Sequence, residues 1–297
     1  MNKAITLVHK GAMTIAPHSI RSFSSHFSET YRLIIHTDPS IDEKDIKILR
    51  DASDGIQVDI VSSIDRKEKL KEKINEFPKT KELLAKGSYF TKLEVAMFEE
   101  PPYFFFDSDI IWLKHVPNLQ PNDAPNVFST ESWSSYSGIA KPWLWIRNKT
   151  PRRVNSGFYF TKENFPYQKL EDLLNKGMYN NSQFLAGDQE IFAYLYSNMK
   201  YYHPEDMKRS RVGSIYQLND IQCAALHFPG RMWSYHLDQI EKLKHTKAQN
   251  QVKVRFQPAI PLSYAELLRM RAQIQLGRSE LLAKPLNVIR KLLRKYR

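Results

Sequence analysis

Short apolar runs alternate with charged segments of helical periodicity along the first 120 residues. This alternation predicts an α/β fold in which helices flank a parallel sheet. The predicted strands span residues 4–8, 31–36 and 56–61, and the predicted helices span residues 17–27, 43–52, 65–76 and 89–98.

A run of four aromatic residues at positions 103–106 follows, and it ends at Asp107, Ser108 and Asp109. An uninterrupted apolar run is typical of a central strand that is buried on both faces. The abrupt change to acidic residues indicates the carboxyl end of that strand. Ligands of open α/β sheets bind at this edge, so we expect the functional site there.

The pattern changes after Val116, since residues 117–130 are rich in Pro, Asn and Asp and predict a loop. A further strand is predicted at residues 154–161, with a bend at 155–157, and helices are predicted at 167–176 and 188–198. We predict a catalytic domain of residues 1–235, followed by a helical, basic extension of residues 236–297.

The composition narrows the chemistry that is available. The chain has 297 residues, of which 42% are hydrophobic and 26% are charged, which is typical of a folded globular protein. Its single cysteine, Cys223, excludes a disulfide framework and an all-cysteine zinc site. No apolar segment approaches the roughly 18 residues that a membrane span needs. We therefore expect a cytoplasmic protein whose site uses oxygen and imidazole ligands.

The net charge of +12 is concentrated at one end of the chain. Residues 267–297 contain nine basic residues and one acidic residue, a net charge of +8. A nucleic-acid surface would interleave basic and aromatic residues, whereas here the aromatic residues lie mid-chain. We therefore expect no nucleic-acid partner.

Residues 284–297 predict an amphipathic helix. Pro285 suits its first turn, and apolar residues recur at helical spacing with basic residues between them. The apolar positions are Leu286, Ile289, Leu292, Leu293 and Tyr296. Such a helix either lies on an anionic membrane surface or packs on the protein's own body or on a second subunit.

Four short motifs carry the candidate chemistry. Asp107 and Asp109 could share one hard cation, although the same pattern also occurs in capped turns. Asn155, Ser156 and Gly157 offer polar groups and a close backbone approach to sugar hydroxyls, although a β-bulge would use the same residues.

The other two motifs follow later in the chain. Asp188 and Gln189 stand at a predicted helix start, where Asp188 is either an N-cap or a carboxylate facing a cleft. His227 lies on a turn that ends at Gly230. Its imidazole could complete a mixed oxygen and nitrogen shell around a divalent ion, or it could be purely structural.

A haloacid-dehalogenase-like phosphohydrolase is the main chemical alternative for the D-x-D motif. That family places Thr or Val two residues after the second Asp and normally carries the motif on the first strand. Ile111 occupies that position here, and three predicted strands precede the motif. A non-catalytic protein that binds membrane surfaces is the other alternative.

The four motifs, in this order from residue 4 to residue 235, resemble those of metal-dependent glycosyltransferases with a GT-A fold, closest to families 8 and 77. The resemblance implies a Rossmann-like mixed sheet flanked by helices and a nucleotide-sugar donor. It also implies roles for individual residues. Asp107, Asp109 and His227 would hold Mn²⁺ or Mg²⁺, and Asn155, Asp188 and Gln189 would contact the donor sugar, with Asp188 and Gln189 as the catalytic pair.

The same resemblance implies further donor contacts. Lys92 stands where the family commonly keeps a basic residue facing the donor, and Gly230 would let the backbone approach the diphosphate. Ser108, Ser156 and Gly157 complete the donor-binding set implied by these motifs. This chain has Ser156 where family 8 often has Ala, and Arg231 follows Gly230 as the natural phosphate-binding residue.

The resulting hypothesis is a hexosyltransferase that moves a sugar from a UDP-sugar to a glycan or lipid-linked acceptor. It fits surface polysaccharide or lipopolysaccharide synthesis at the inner face of a membrane. The resemblance favours retention of configuration, with Asp188 and Gln189 stabilising an oxocarbenium-like state. In an inverting reaction Asp188 would be the base.

Overall fold

The computed structural model describes residues 1–87, 90–130, 142–177, 187–209, 222–230, 232–243 and 251–266, and within these ranges eleven strands form two sheets. The strands are β1 (Asn2–Val8), β2 (Tyr31–Thr37), β3 (Val58–Val61), β4 (Tyr103–Asp107), β5 (Ile110–Trp112), β6 (Asn126–Thr130), β7 (Val154–Thr161), β8 (Lys200–Tyr202), β9 (Met207–Arg209), β10 (Ala225–His227) and β11 (Phe256–Pro258).

Helices cover both faces of the larger sheet. They are α1 (Ala16–Phe27), α2 (Glu43–Ala52), α3 (Ser63–Asn75), α4 (Pro78–Leu84), α5 (Thr91–Phe98), α6 (Pro142–Arg147), α7 (Tyr167–Gly177), α8 (Gly187–Leu195) and α9 (Leu237–Glu241). The predicted fold class, a mixed sheet flanked by helices, is confirmed.

The larger sheet has eight strands in the order β11-β8-β6-β7-β4-β1-β2-β3. β3, β2, β1 and β4 are parallel neighbours, and β7 then pairs antiparallel with β4 and with β6. Leu7 pairs with His36 on one side and with Asp107 on the other, so β1, β2 and β4 end at the same edge. The D-x-D motif therefore begins at the carboxyl edge of the sheet.

β4 is buried on both faces, as its aromatic run predicts. Phe106 stacks on Phe23 of α1 with a centroid distance of 4.7 Å, and Phe105 stacks on Tyr159 of β7 at 5.0 Å on the opposite face. Each buried aromatic ring contributes about 1.5–3 kcal/mol through removal of apolar surface from water. The strand that carries Asp107 is thus fixed by packing from both sides.

The first half of the chain contains elements that the sequence did not predict. Residues 126–130 form β6 rather than part of a loop. Helix α4 was not predicted, because its N-terminal amides are capped by another element. The Glu171 carboxylate of α7 accepts hydrogen bonds from the backbone N–H groups of Lys79 and Thr80, both at 2.9 Å.

The sheet also extends beyond the predicted domain boundary at residue 235. β11 pairs antiparallel with β8, with Phe256 opposite Tyr202, so it forms the outer strand of the larger sheet. Residues 256–258 of the predicted helical, basic extension are therefore a strand of the sheet. The predicted helix of residues 284–297 lies outside the described residues.

A buried network of charged and polar side chains holds α5 against the sheet. Arg66 of α3 donates to Glu94 of α5 at 3.4 Å and contacts His36 Nδ1 at 3.3 Å. Because a guanidinium only donates, His36 Nδ1 accepts and its Nε2–H donates to Glu99 at the end of α5, at 2.8 Å. Burial lowers the pKa of His36 despite the opposing effect of Glu99. The network therefore fixes the helix that carries Lys92.

None of the helices in the described ranges combines the length and the apolar character that crossing a bilayer requires.

Candidate functional site

The candidate site begins where β4 ends, because Asp107 is its last residue and Asp109 precedes β5. β5 turns into the smaller sheet, whose order is β5-β10-β9, and His227 of β10 pairs with Ile110 of β5. The backbone N–H of Phe228 donates to the carbonyl of Asp109 at 3.0 Å. The antiparallel pairing of β5 and β10 therefore sets the imidazole beside the two carboxylates.

Asp107, Asp109 and His227 form a cluster with the chemistry of a divalent-cation site. One ligand atom from each residue lies within 4.8 Å of the others. His227 Nε2 is 3.2 Å from Asp109 Oδ1 and 3.8 Å from Asp107 Oδ2. Asp109 Oδ1 is shielded from solvent and accepts no hydrogen bond within the described ranges. Two carboxylate oxygens and one imidazole suit Mn²⁺ or Mg²⁺.

Gly157 provides the space that such an ion needs. A Cβ atom at this position would lie 2.5 Å from Asp107 Oδ2, 2.8 Å from His227 Cε1 and 2.8 Å from Asn155 Oδ1. Any side chain here would enter the space between two of the three candidate ligands. The cluster and the adjoining glycine therefore fit a bound ion.

The local shape of β7 explains how Gly157 comes to lie there. Phe128 of β6 pairs with Tyr159, but the next residue, Ser129, pairs with Asn155, so residues 156–158 interrupt the β6–β7 register. Asn155 Oδ1 accepts a hydrogen bond from the Gly157 N–H at 2.7 Å and stabilises this bulge. The β-bulge, which the sequence analysis gave as the alternative interpretation of residues 155–157, is present. It brings Gly157 close to Asp107.

Lys92 reaches the same cluster from α5. Its ammonium is 2.7 Å from Asp107 Oδ1 and 3.7 Å from Asp188 Oδ2, and it lies 5.3 Å from the centroid of the Phe105 ring. Burial opposes its charge, but Asp107 and Asp188 outweigh that effect and hold the pKa of Lys92 above its ordinary value. Asp107 therefore has Lys92 beside one oxygen and His227 beside the other.

Asp188 projects from the first turn of α8 into this group of side chains. Ser156 Oγ donates a hydrogen bond to Asp188 Oδ2 at 2.6 Å and accepts one from Lys92 Nζ at 3.4 Å. The four elements β4, β7, α5 and α8 thus meet through Asp107, Ser156, Lys92 and Asp188. Among the described residues, the carboxylates of Asp107, Asp109 and Asp188 gather around the ammonium of Lys92, and this excess of negative charge favours a further cation.

The other predicted residues lie nearby along the chain. Gln189 follows Asp188 in the first turn of α8, and Ser108 is buried in the turn between β4 and β5. Gly230 has a φ of 69°, a left-handed conformation that favours glycine, in the turn after β10. Arg231 lies outside the described residues.

An open cleft adjoins the cluster beside His227 and Asn155. Its lining was not predicted apart from those two residues, and the remaining lining residues are Ile110, Ser129, Thr130, Phe158, Met207, Lys208 and Ala225. Ser129 and Thr130 end β6, the strand that the sequence analysis missed. β9, which carries Met207 and Lys208, is only three residues long and leaves no periodic signal.

Comparison with known proteins gives a likeness in structure and none in sequence. No protein-family model and no curated protein sequence matches the chain. The solved galactosyltransferase LgtC, in complex with donor and acceptor sugar analogues, matches with a TM-score of 0.52 at 10% identity, covering 81% of this chain and 94% of LgtC.

Two other solved structures are similar. The bifunctional glycosyltransferase WbbM, in its apo form, has a TM-score of 0.54 at 10% identity, covering 77% of this chain and 46% of WbbM. Mouse xyloside xylosyltransferase 1 has a TM-score of 0.48 at 13% identity, covering 78% of this chain and 98% of the mouse protein. The matches to LgtC and WbbM show that the chain has the GT-A fold, as the ordered motifs implied.

Replacing Gly157 by Ala tests the space between the candidate ligands. We expect Gly157→Ala to weaken Mn²⁺ binding at least about tenfold, because the new methyl group would displace Asp107 or His227. Isothermal titration of Mn²⁺ in the presence of UDP measures this. Gly55→Ala is the control, because a Cβ there meets no atom within 4 Å and only backbone strain is added. Wild-type Mn²⁺ affinity in Gly157→Ala would contradict the assignment.

Proposed function

We propose that the protein is a metal-dependent glycosyltransferase that moves a hexose from a UDP-sugar to a glycan or lipid-linked acceptor with retention of configuration. The observation that carries the proposal is the convergence of Asp107, Asp109 and His227 at the carboxyl edge of a GT-A sheet. This fold supports a glycosyltransferase over a phosphohydrolase of the haloacid-dehalogenase type. Synthesis of a surface polysaccharide or lipopolysaccharide is the setting we favour.

The metal would be held by Asp107, Asp109 and His227. When bound, Mn²⁺ or Mg²⁺ supplies Lewis-acid stabilisation of the departing nucleotide diphosphate. Lys92 adds a fixed positive charge beside Asp107, on the side away from His227. Gly230 would let the backbone approach the diphosphate closely. Arg231 would be a second positively charged group at the phosphates, in addition to Lys92.

The donor sugar would lie between the cluster and the first turn of α8. Asn155, Asp188 and Gln189 would contact its hydroxyl groups and the anomeric centre. In the transfer, the bond between the anomeric carbon and the phosphate oxygen breaks and the acceptor oxygen bonds to that carbon. The acceptor proton passes to the departing diphosphate, so no strong general acid from the protein is required. Preorganised groups such as Asp188 stabilise the positive charge that develops on the sugar.

The cleft beside His227 is our candidate for the acceptor. Its lining combines the apolar side chains of Ile110, Phe158 and Met207 with the hydroxyls of Ser129 and Thr130. Apolar surface with a few polar groups suits a sugar ring, whose faces are apolar and whose rim carries hydroxyls.

Asp109→Ala tests the metal-dependent reaction. We expect Mn²⁺-dependent hydrolysis of UDP-sugars by the wild-type protein, abolished by EDTA and restored by Mn²⁺. Asp109→Ala should lower kcat at least about 100-fold and abolish Mn²⁺-dependent UDP binding, because it removes one of three candidate ligands. Discontinuous assay of released UDP across a panel of nucleotide-sugars measures the turnover.

The matched control is Asp59→Ala, which removes an exposed carboxylate from the edge strand β3. It should leave both turnover and Mn²⁺ binding unchanged. Undiminished turnover in Asp109→Ala, or in wild-type protein treated with EDTA, would refute metal dependence.

We further propose that residues 284–297 attach the protein to an anionic membrane surface. The support is the sequence pattern of an apolar stripe flanked by Arg290, Lys291, Arg294 and Lys295. Each basic residue near such a surface contributes about 1 kcal/mol, so several suffice for reversible attachment. This would place the reaction at the cytoplasmic leaflet, where a lipid-linked acceptor is accessible.

Liposome sedimentation tests the attachment. The intact protein should sediment with anionic vesicles and be released by high salt, and removal of the residues after Lys284 should abolish sedimentation while donor hydrolysis persists. Changing Arg290, Lys291, Arg294 and Lys295 together to Gln keeps the apolar stripe and should also abolish it. If the intact protein ignores anionic vesicles, or the truncated one is insoluble, the segment packs on the protein or on a second subunit.

A further inference from the structure

Ser156 is the buried hydroxyl at the centre of the polar cluster. Its residue is 1% exposed, and it lies on the bulge of β7 between Lys92 and Asp188. A serine hydroxyl has one hydrogen to donate. Ser156 donates that hydrogen to Asp188 Oδ2 at 2.6 Å, and its oxygen accepts from Lys92 Nζ at 3.4 Å. The hydroxyl hydrogen is therefore already used within the protein.

The bond from Ser156 fixes one side of the Asp188 carboxylate. Hydrogen bonds from a hydroxyl to a carboxylate are short and strong because the acceptor is charged. Lys92 lies 3.7 Å from the same oxygen, Oδ2. Ser156 and Lys92 therefore restrict the rotation of the Asp188 side chain from two directions.

We infer that Ser156 is a positioning residue, which acts on the reaction by holding the Asp188 carboxylate in place rather than by binding the donor. This inference rests on the proposed function, because it assigns Asp188 to the reacting sugar. With Oδ2 occupied by Ser156 and Lys92, Asp188 is held as a hydrogen-bond acceptor for the donor sugar.

Two substitutions at Ser156 separate the hydrogen bond from packing. Ser156→Ala removes the hydroxyl, and Ser156→Cys fills a similar volume with a weak donor. Both should lower kcat for UDP-sugar turnover about 10- to 100-fold, because a displaced catalytic group is costly. The Kd for UDP with Mn²⁺ should stay within about twofold, since the candidate metal ligands are untouched.

A double-variant cycle shows whether Ser156 acts through Asp188. If it does, adding Ser156→Ala to Asp188→Ala should change kcat by no more than about twofold, whereas independent losses would multiply. Ser53→Ala is the control for loss of a buried hydroxyl. Ser53 follows the last residue of α2, is 2% exposed and lies outside the candidate site. Its hydroxyl donates a hydrogen bond to the Leu49 carbonyl. This control should keep wild-type kcat.

The possible outcomes are distinct. A loss of kcat in both Ser156 variants, with unchanged UDP affinity and no further loss in the Asp188→Ala background, supports the inference. Wild-type kcat in Ser156→Cys, a parallel loss of UDP affinity, or multiplicative losses in the cycle would overturn it. If the wild-type protein turns over no nucleotide-sugar, the proposed function itself fails and this assignment fails with it.

Discussion

The repulsion among carboxylates at one edge of the sheet is the constraint on which the site depends. Asp107, Asp109 and Asp188 come from a strand end, a turn and a helix start, and they converge on one small region. Like charges gathered in a partly buried place are costly unless cations accompany them. Lys92 offsets part of this charge, and the cluster of Asp107, Asp109 and His227 offers a place for a divalent ion.

The rest of the architecture holds these charged side chains close together. β4 cannot relax away from the edge, because aromatic residues pack it on both faces and β1 and β7 pair with its two sides. α5 cannot shift easily, because Arg66 and His36 bind its two ends through Glu94 and Glu99. The stability of the sheet thus maintains an arrangement that the isolated side chains would avoid.

The position of Asp107 at the carboxyl edge of the sheet could be predicted from the sequence, because its signals are local, whereas the grouping of Lys92, Asp188 and His227 around it was implied only by the family resemblance. The aromatic run before Asp107 predicts a strand that is buried on both faces. The parallel strands earlier in the chain then place the end of this strand at the carboxyl edge of the sheet. The missed features depend on distant contacts. The first backbone N–H groups of α4 donate hydrogen bonds to the Glu171 carboxylate of α7. β11 has only three residues and is formed by pairing with β8. The bond from Ser156 to Asp188 depends on a bulge whose register no local pattern specifies.

The most direct test of the central claim is to locate the metal in the protein. Crystals grown with UDP and Mn²⁺ can be measured on both sides of the manganese absorption edge, which identifies the ion by its anomalous scattering. Our account predicts one manganese peak bounded by Asp107, Asp109 and His227, beside Gly157 and in contact with the UDP diphosphate. Bound UDP without a manganese peak at that position, or with manganese held by other residues, would contradict it.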